Sequence, residues 1–237
     1  MQISFRFRIV PFIVSVILVA IGLSLAQWQT RRADEKQAIE NLLLTRQSAP
    51  VLPLGQVPDD LQDLLFRRVQ LRGHFIAGWP VYLDNRPYQG RAGFYLLMPF
   101  KMANASSHVL VMRGWFPRDT ADRTRLPAIA TPVGETVIEG IARADVGRVM
   151  QLGQPDALRP GAILQNLTAR EWSDASGLPF SSLVVEETTA TADGLVRDWP
   201  KPSVGIDKHR GYAFQWYGLA GMATLFFVVT GFRRGRS

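Results

Sequence analysis

The sequence predicts a membrane-anchored α+β protein in which two transmembrane helices, one at each end, flank a mainly antiparallel β domain on the extracytoplasmic side. Three observations carry this. Uncharged apolar runs extend from Ile9 to Thr30 and from Gly211 to Phe232. At about 1.5 Å per residue, each is long enough to cross a hydrocarbon core of about 30 Å. Arg6 and Arg8 precede the first run and Arg233, Arg234 and Arg236 follow the second, so the positive-inside rule holds both termini in the cytoplasm. The chain between the runs breaks into short alternating stretches separated by Gly, Pro, Asn and Asp, the mark of strands and turns. The expected organisation is a first span at 9–30, one domain at 31–210 and a second span at 211–232.

The first run has a rival reading as a cleaved signal peptide, since Ser24-Leu25-Ala26 has small residues at cleavage-site spacing. The run exceeds the roughly 7–15 residues of a signal core, and its outer end carries Trp28, an interfacial anchor. An uncleaved anchor fits better. Nothing before it has the Arg- and Ser-rich look of an organellar presequence, which favours a bacterial inner membrane with the domain in the periplasm. Beyond the span, Ile39, Leu42 and Leu43 keep helical spacing over Glu35 to Leu44, until Pro50 and Pro53 stop the helix.

Strands follow. Val69, Leu71 and Phe75 alternate with Arg68, Gln70, Arg72 and His74, predicting a half-buried strand over Arg67 to Phe75. Val81 to Asp84, Gly93 to Phe100, Val109 to Phe116, Glu135 to Ala142 and Leu183 to Glu186 are further strand segments, making a mostly antiparallel sheet or a small barrel. Thr168 to Ala175 reads as a short helix: Thr168 and Glu171 form a capping box and Gly177 ends it.

Composition excludes several function classes. The net charge of +7 suggests nucleic acid at first sight, but five of the 27 basic residues lie in the two tails. All 20 acidic residues lie between the spans, leaving the domain nearly neutral, so no nucleic-acid partner is expected. Cysteine is absent, which removes disulfides, thiolate metal sites, covalent c-type haem attachment and thiol nucleophiles. The three histidines are His74, His108 and His209, so a metal site built within this chain alone would be ligand-poor, and no spacing supports a two-histidine or carboxylate site.

At helical spacing, His209, Tyr212 and Trp216 share one face near the outer boundary of the second span, an imidazole beside two aromatic planes. A neutral imidazole is a common axial ligand of haem iron, and flat rings suit a porphyrin. The same residues also fit an aromatic belt with His209 at its waterline, and both readings stay open. The loop from Asp84 to Gly93 is a second candidate: Arg86 and Arg91 flank Pro87 and Gly90 in an expected exposed turn, where they can meet carboxylates of haem or of a partner. Arg113-Gly114-Trp115 reads as strand core. Ser106, Ser107, His108 and Asp174 supply a hydrolase inventory on paper, but no Gly-x-Ser-x-Gly elbow accompanies it. No enzyme is expected. Gly218 and Gly221 would let helices approach closely.

Several of these segments together resemble the Surfeit locus protein 1 family, membrane assembly factors for haem-copper terminal oxidases. At the exit of the first span stand Trp28, Gln29, Arg31 or Arg32, and Lys36; then come Gly73-His74-Phe75 and Asn85-Arg86-Pro87 with Gly90, Gly93-Phe94 and Pro99. Val111, Arg113-Gly114-Trp115 and Pro117 follow, and Asp198-Trp199-Pro200 leads to Lys208-His209, Gly211-Tyr212-Ala213 and Gln215-Trp216. Asp119 to Pro160 matches nothing in that pattern. The resemblance implies a function in cytochrome c oxidase biogenesis, handling haem a for subunit one, with the matching histidine, His209, as iron ligand. It implies oxidase subunits, other assembly factors and the lipid bilayer as partners. A rival within the same setting is an adaptor that docks on and stabilises oxidase subunits without binding a cofactor.

Overall fold

The computed structural model describes residues 3–5, 7–151, 153–154, 156–200 and 205–234. Arg6 and Arg236, on which part of the expected orientation rests, lie outside the described residues, as do the side chains of Arg233 and Arg234. In chain order the elements are β1 (Ile3–Phe5), α1 (Ile9–Ser48), β2 (Leu52–Leu54), β3 (Arg68–Phe75), β4 (Val81–Leu83), β5 (Gly93–Met102), β6 (His108–Pro117), β7 (Thr136–Arg143), β8 (Ile163–Leu164), α2 (Ala169–Ser176), β9 (Phe180–Glu187), α3 (Ile206–Gly231) and β10 (Phe232–Arg234). Two compact units result, Met1–Leu42 with Pro202–Ser237, and Leu43–Lys201.

In the first unit, α1 and α3 are both long and apolar enough to cross a bilayer. Pro11 falls in the first turn of α1, where its missing N–H costs no helical bond. The helix continues without a break past the end of the apolar run, supported by an Arg32–Glu35 pair at 2.9 Å and a Gln37–Asn41 bond at 3.2 Å. It ends at Ser48, just ahead of Pro50, and so outlasts the helix expected to Leu44. The two chain ends pair as an antiparallel ribbon, β1 against β10.

The second unit is a barrel. Strand β3 pairs with β7, β7 with β9, β9 with β6, β6 with β5, and β5 again with β3, which closes a ring of five strands. Only the β6–β9 pair in this ring is parallel. Taken in chain order, the ring runs first, second, third, fifth, fourth and back to first, the connectivity of an OB-type barrel. Strands β2 and β4 extend it by joining β3 and β5, and β8 joins β4. The expected choice between sheet and barrel thus resolves as a barrel. It is mainly antiparallel, with three parallel pairings.

Alternation along the strands divides the core in two. Phe94, Leu96, Met98 and Phe100 of β5, Val109 and Val111 of β6, and Leu183 and Val185 of β9 fill the barrel. Tyr95 and Leu97, Leu110 and Met112, and Val184 point out of it, where Trp172 of α2, Leu164 of β8 and Val81 of β4 cover them. The β5–β6 face, which OB barrels often offer to single-stranded nucleic acid, is therefore packed with the protein's own chain. Closure demands close crossings. A Cβ on Gly73 would collide with the Lys101 carbonyl, and one on Gly140 with the Glu186 carbonyl. Helix α2 carries the expected capping box, Thr168 with Glu171, and ends at Gly177 with φ of 70°.

Candidate functional site

Helices α1 and α3 run antiparallel along a seam of small residues. Gly22, Ala26 and Ala33 of α1 and Ala213 and Ala220 of α3 are buried, so the backbones approach as small residues allow in a lipid environment. A Cβ on Gly22 would stand 3.0 Å from that of Ala220. The glycines expected to serve here, Gly218 and Gly221, instead face open space. The helical period puts them about 80° or more away from the line through Ala213 and Ala220. Near one end Ser15 donates to the Ala223 carbonyl at 3.0 Å. Near the other, His209 Nδ1 meets Gln29 Oε1 at 2.7 Å.

This last contact is the chemically informative one. An amide oxygen only accepts, so Nδ1 is the donor of this contact, and in the neutral ring the lone pair then sits on Nε2. The contact lies where the first charges after the span, Arg31 and Arg32, begin on α1, and beside Asp207, Lys208 and Arg210 on α3. Arg32 and Lys36 follow Gln29 by three and seven residues and share its face of the helix. Lys36 Nζ would lie 3.9 Å from a Cβ on Gly205, just ahead of α3. One imidazole whose Nδ1 is committed, and whose Nε2 has no hydrogen-bond partner among the described residues, can give one bond to a metal ion. No group of three or more His, Asp or Glu able to hold a metal occurs among the described residues.

The neighbours expected for His209 are arranged differently. Trp216 lies half-buried along the seam, and Tyr212, on the flank of the same face, keeps 50% of its surface exposed. Trp28 is also exposed, one residue from Gln29. A shallow pocket of about 260 Å³ at this level is lined by Thr30, Asp34, Arg210, Phe214 and Tyr217. By the helical period it opens on the opposite flank of the seam from Tyr212.

Arg86 departs most from expectation. It is 6% exposed rather than displayed in a turn. Its Nη2 donates to the carbonyls of Gly147 at 2.9 Å and Gln165 at 3.0 Å, its guanidinium lies over the Tyr95 ring, and its own carbonyl accepts from Trp115 Nε1 at 2.7 Å. The chain around it turns sharply at Asn85, with φ of 61°, and this carries the side chain inward. Burial works against its charge, and two carbonyls and an aromatic face offset that cost. Arg86 is thus a tie between the β4–β5 loop and the loops around β8. Arg91 stays exposed, on an open groove of about 720 Å³ that also includes Arg118, Arg125, Leu126 and Leu195.

A buried ion network in the barrel has no counterpart in the sequence reading. Alternation from Val109 and Val111 points Arg113 into the barrel end, and the β5–β6 register, which passes from Gly114 to Met112, leaves it at a bulge opposite no β5 residue. There Arg113 is 1% exposed. It donates to Asp193 at 2.9 Å and to the Ala130 carbonyl at 3.1 Å, lies 3.8 Å from Glu187 and covers the Phe75 ring. Arg197 joins Asp193 at 2.6 Å and Glu187 at 3.5 Å. The network ties the segment from Asp193 to Arg197 onto the barrel, where Trp115 and Val196 also exchange both backbone bonds. Nearby, Glu186 pairs with Arg143 at 3.2 Å, yet burial outweighs the pairing and pushes its carboxyl up to about 7.

The other histidines belong to the barrel. His74 is exposed on β3 opposite Lys101. His108 is buried at the start of β6, its Nδ1 bonded to the Pro179 carbonyl at 3.1 Å, and burial lowers its basicity. Its ring nitrogen thus meets a backbone carbonyl where a hydrolytic triad would need a carboxylate.

The profile of the SURF1 family matches residues 16–221. A SURF1-like protein of Rickettsia bellii (strain RML369-C) is 24% identical over 233 residues, 94% of this chain and 89% of that protein. Surfeit locus protein 1 of Rattus norvegicus is 25% identical over 215 residues, 84% of this chain and 69% of the relative. The cytochrome oxidase assembly protein SHY1 of Saccharomyces cerevisiae is 30% identical over 101 residues, covering 42% of this chain and 26% of that protein. The profile match begins inside α1, takes in the whole barrel and ends inside α3: the chain belongs to the SURF1 family.

Proposed function

We propose that this protein is a non-enzymatic assembly factor for a haem-copper terminal oxidase, and that it takes up haem a at the outer end of its helix pair for delivery to subunit one. The observation that carries the reading is the 2.7 Å contact between His209 and Gln29. It joins two segments that the family resemblance singled out, one from each span, and it leaves Nε2 as the lone pair an axial ligand needs. The yeast relative's name, cytochrome oxidase assembly protein, supports the process. Haem a brings an iron open to an axial nitrogen, a broad apolar ring and two carboxylates. Here His209 would hold the iron, Trp216 and Tyr212 would border the ring, and Arg32 and Lys36 would meet the carboxylates. Arg86, buried in the barrel, is replaced in that last role.

The setting proposed is a bacterial inner membrane with both termini in the cytoplasm and the barrel in the periplasm, where oxidase subunits and other assembly factors are the partners. Alkaline phosphatase fused near Ser106 should be active and fused after Ser237 inactive; the reverse pattern overturns the orientation.

The direct test is the visible spectrum of the full chain purified in detergent from cells making haem a. A Soret band that His209→Ala abolishes is expected. A band unchanged by His209→Ala overturns the ligand role, and a colourless wild-type protein in good yield overturns haem handling in favour of a cofactor-free adaptor.

A further inference from the structure

An imidazole in water favours the proton on Nε2, which leaves the lone pair on Nδ1, the nitrogen crowded by the residue's own backbone. His209 is held the other way round. Its Nδ1 is 2.7 Å from Gln29 Oε1, an oxygen that can only accept, while none of the hydrogen bonds among the described residues goes to Nε2. The contact is half-buried between two helices, where a hydrogen bond counts for more than in water.

The position of Gln29 is itself well determined. It sits one helical turn from Ala26 and Ala33, both buried in the seam, and the close approach at Gly22 and Ala220 fixes how near α1 and α3 run. The side chain therefore needs little rearrangement to reach the ring.

We infer that Gln29 is the positioning residue of this site: it selects the Nδ1–H tautomer of His209 and, because its amide is neutral, sets a ligand weak enough to be given up. The second half of the statement rests on the haem reading above. Carboxylates are frequent partners of ligating histidines and raise the basicity of the ring, which tightens the metal bond. An amide oxygen fixes the same tautomer with less transfer of charge. A protein that must pass its cargo on benefits from the weaker bond, whereas a resident cofactor would be better served by a carboxylate.

Nitrogen NMR of the haem-free full chain in detergent, labelled with ¹⁵N-histidine and recorded at alkaline pH, tests the first half without any cargo. The His209 signal is identified by its loss in His209→Ala. Wild-type protein should show the proton on Nδ1, and Gln29→Leu should move it largely to Nε2. A wild-type ring protonated on Nε2 overturns the inference whatever the protein does with haem.

The second half is read from the rate at which loaded protein surrenders haem a to excess apomyoglobin. Gln29→Glu should slow the transfer about 10–100-fold, and Gln29→Leu should speed it by a similar factor. Equal rates for wild type and Gln29→Glu overturn the claim about bond strength. If wild-type protein shows the Nδ1–H tautomer but takes up no haem, the proposed function has failed while the role of Gln29 on the ring stands.

Discussion

Arg113 in the barrel and His209 between the helices are both polar side chains drawn out of water, and their surroundings differ in kind. Arg113 has two carboxylates, a carbonyl and an aromatic ring around it and is 1% exposed. Among the described residues, His209 has one neutral partner at one nitrogen, and it stays half-buried. A buried ion surrounded in this way specifies a structure, because each partner fails if another moves. A polar group given half of its partners retains bonding capacity for something else. The contrast separates scaffold from site within one chain.

The largest effect should come from breaking the scaffold network. Arg113→Met leaves the buried carboxylates of Glu187 and Asp193 with Arg197 as their one remaining cation and should cost about 3 kcal/mol in urea unfolding of the detergent-solubilised chain. Replacing Arg113, Glu187, Asp193 and Arg197 together by apolar residues of similar volume should recover most of that loss. No recovery would mean that the ions do more than hold the fold.

Glu186 sharpens the comparison through pH. Its carboxyl, ordinarily near 4.5, is pushed up to about 7 by burial, against the pull of Arg143. Between those values the native state keeps a proton that the unfolded chain has released, so this group's contribution to stability falls as pH rises, by about 3 kcal/mol in all. Unfolding measured from pH 4 to 8 should show a flatter profile for Glu186→Gln than for wild type.

Gly22→Leu probes the seam instead. With the Cβ position 3.0 Å from that of Ala220, the larger side chain should force the helices apart at a cost of about 1–3 kcal/mol and abolish the His209–Gln29 contact, together with the Soret band that the proposed haem site would give. Amide exchange in β5 and β6, in the separate barrel unit, should remain unchanged. At the lower limit, Arg68→Ala removes a surface ion pair with Glu139, 3.1 Å long and 45% and 37% exposed, and should shift unfolding by no more than about 0.5 kcal/mol.

Where local pattern decides structure, the sequence was legible. The α2 caps at Thr168, Glu171 and Gly177 rest on neighbours within one or two turns, and the strand segments follow from apolar alternation and turn residues. Strands β2 and β8, only three and two residues long, are too short for a period to register. Arg86 was misplaced because its carbonyl partners lie 61 and 79 residues away, on loops whose polarity resembles that of any exposed turn. The partners of Arg113 likewise come from afar, Ala130 and Asp193 lying 17 and 80 residues along the chain. At the candidate site the residue types were visible from the start: Gln29 stood in the quoted pattern without a role, and matching depths on two antiparallel spans was the signal that could have paired it with His209.

Strand β9 holds a place in the barrel that sets a schedule for biogenesis. It is the last of the ring strands in the chain and fits between β7 and β6, so ribosomal synthesis must pass Glu187 before the ring can close. Until then β6 and β7 each present a bare edge able to recruit strands from other chains. Closure also joins residues far apart in sequence, a slow event compared with forming a helix. A nascent or truncated chain ending before Phe180 should therefore be a substrate for holdase chaperones and proteases, even though most of its apolar core has already been made.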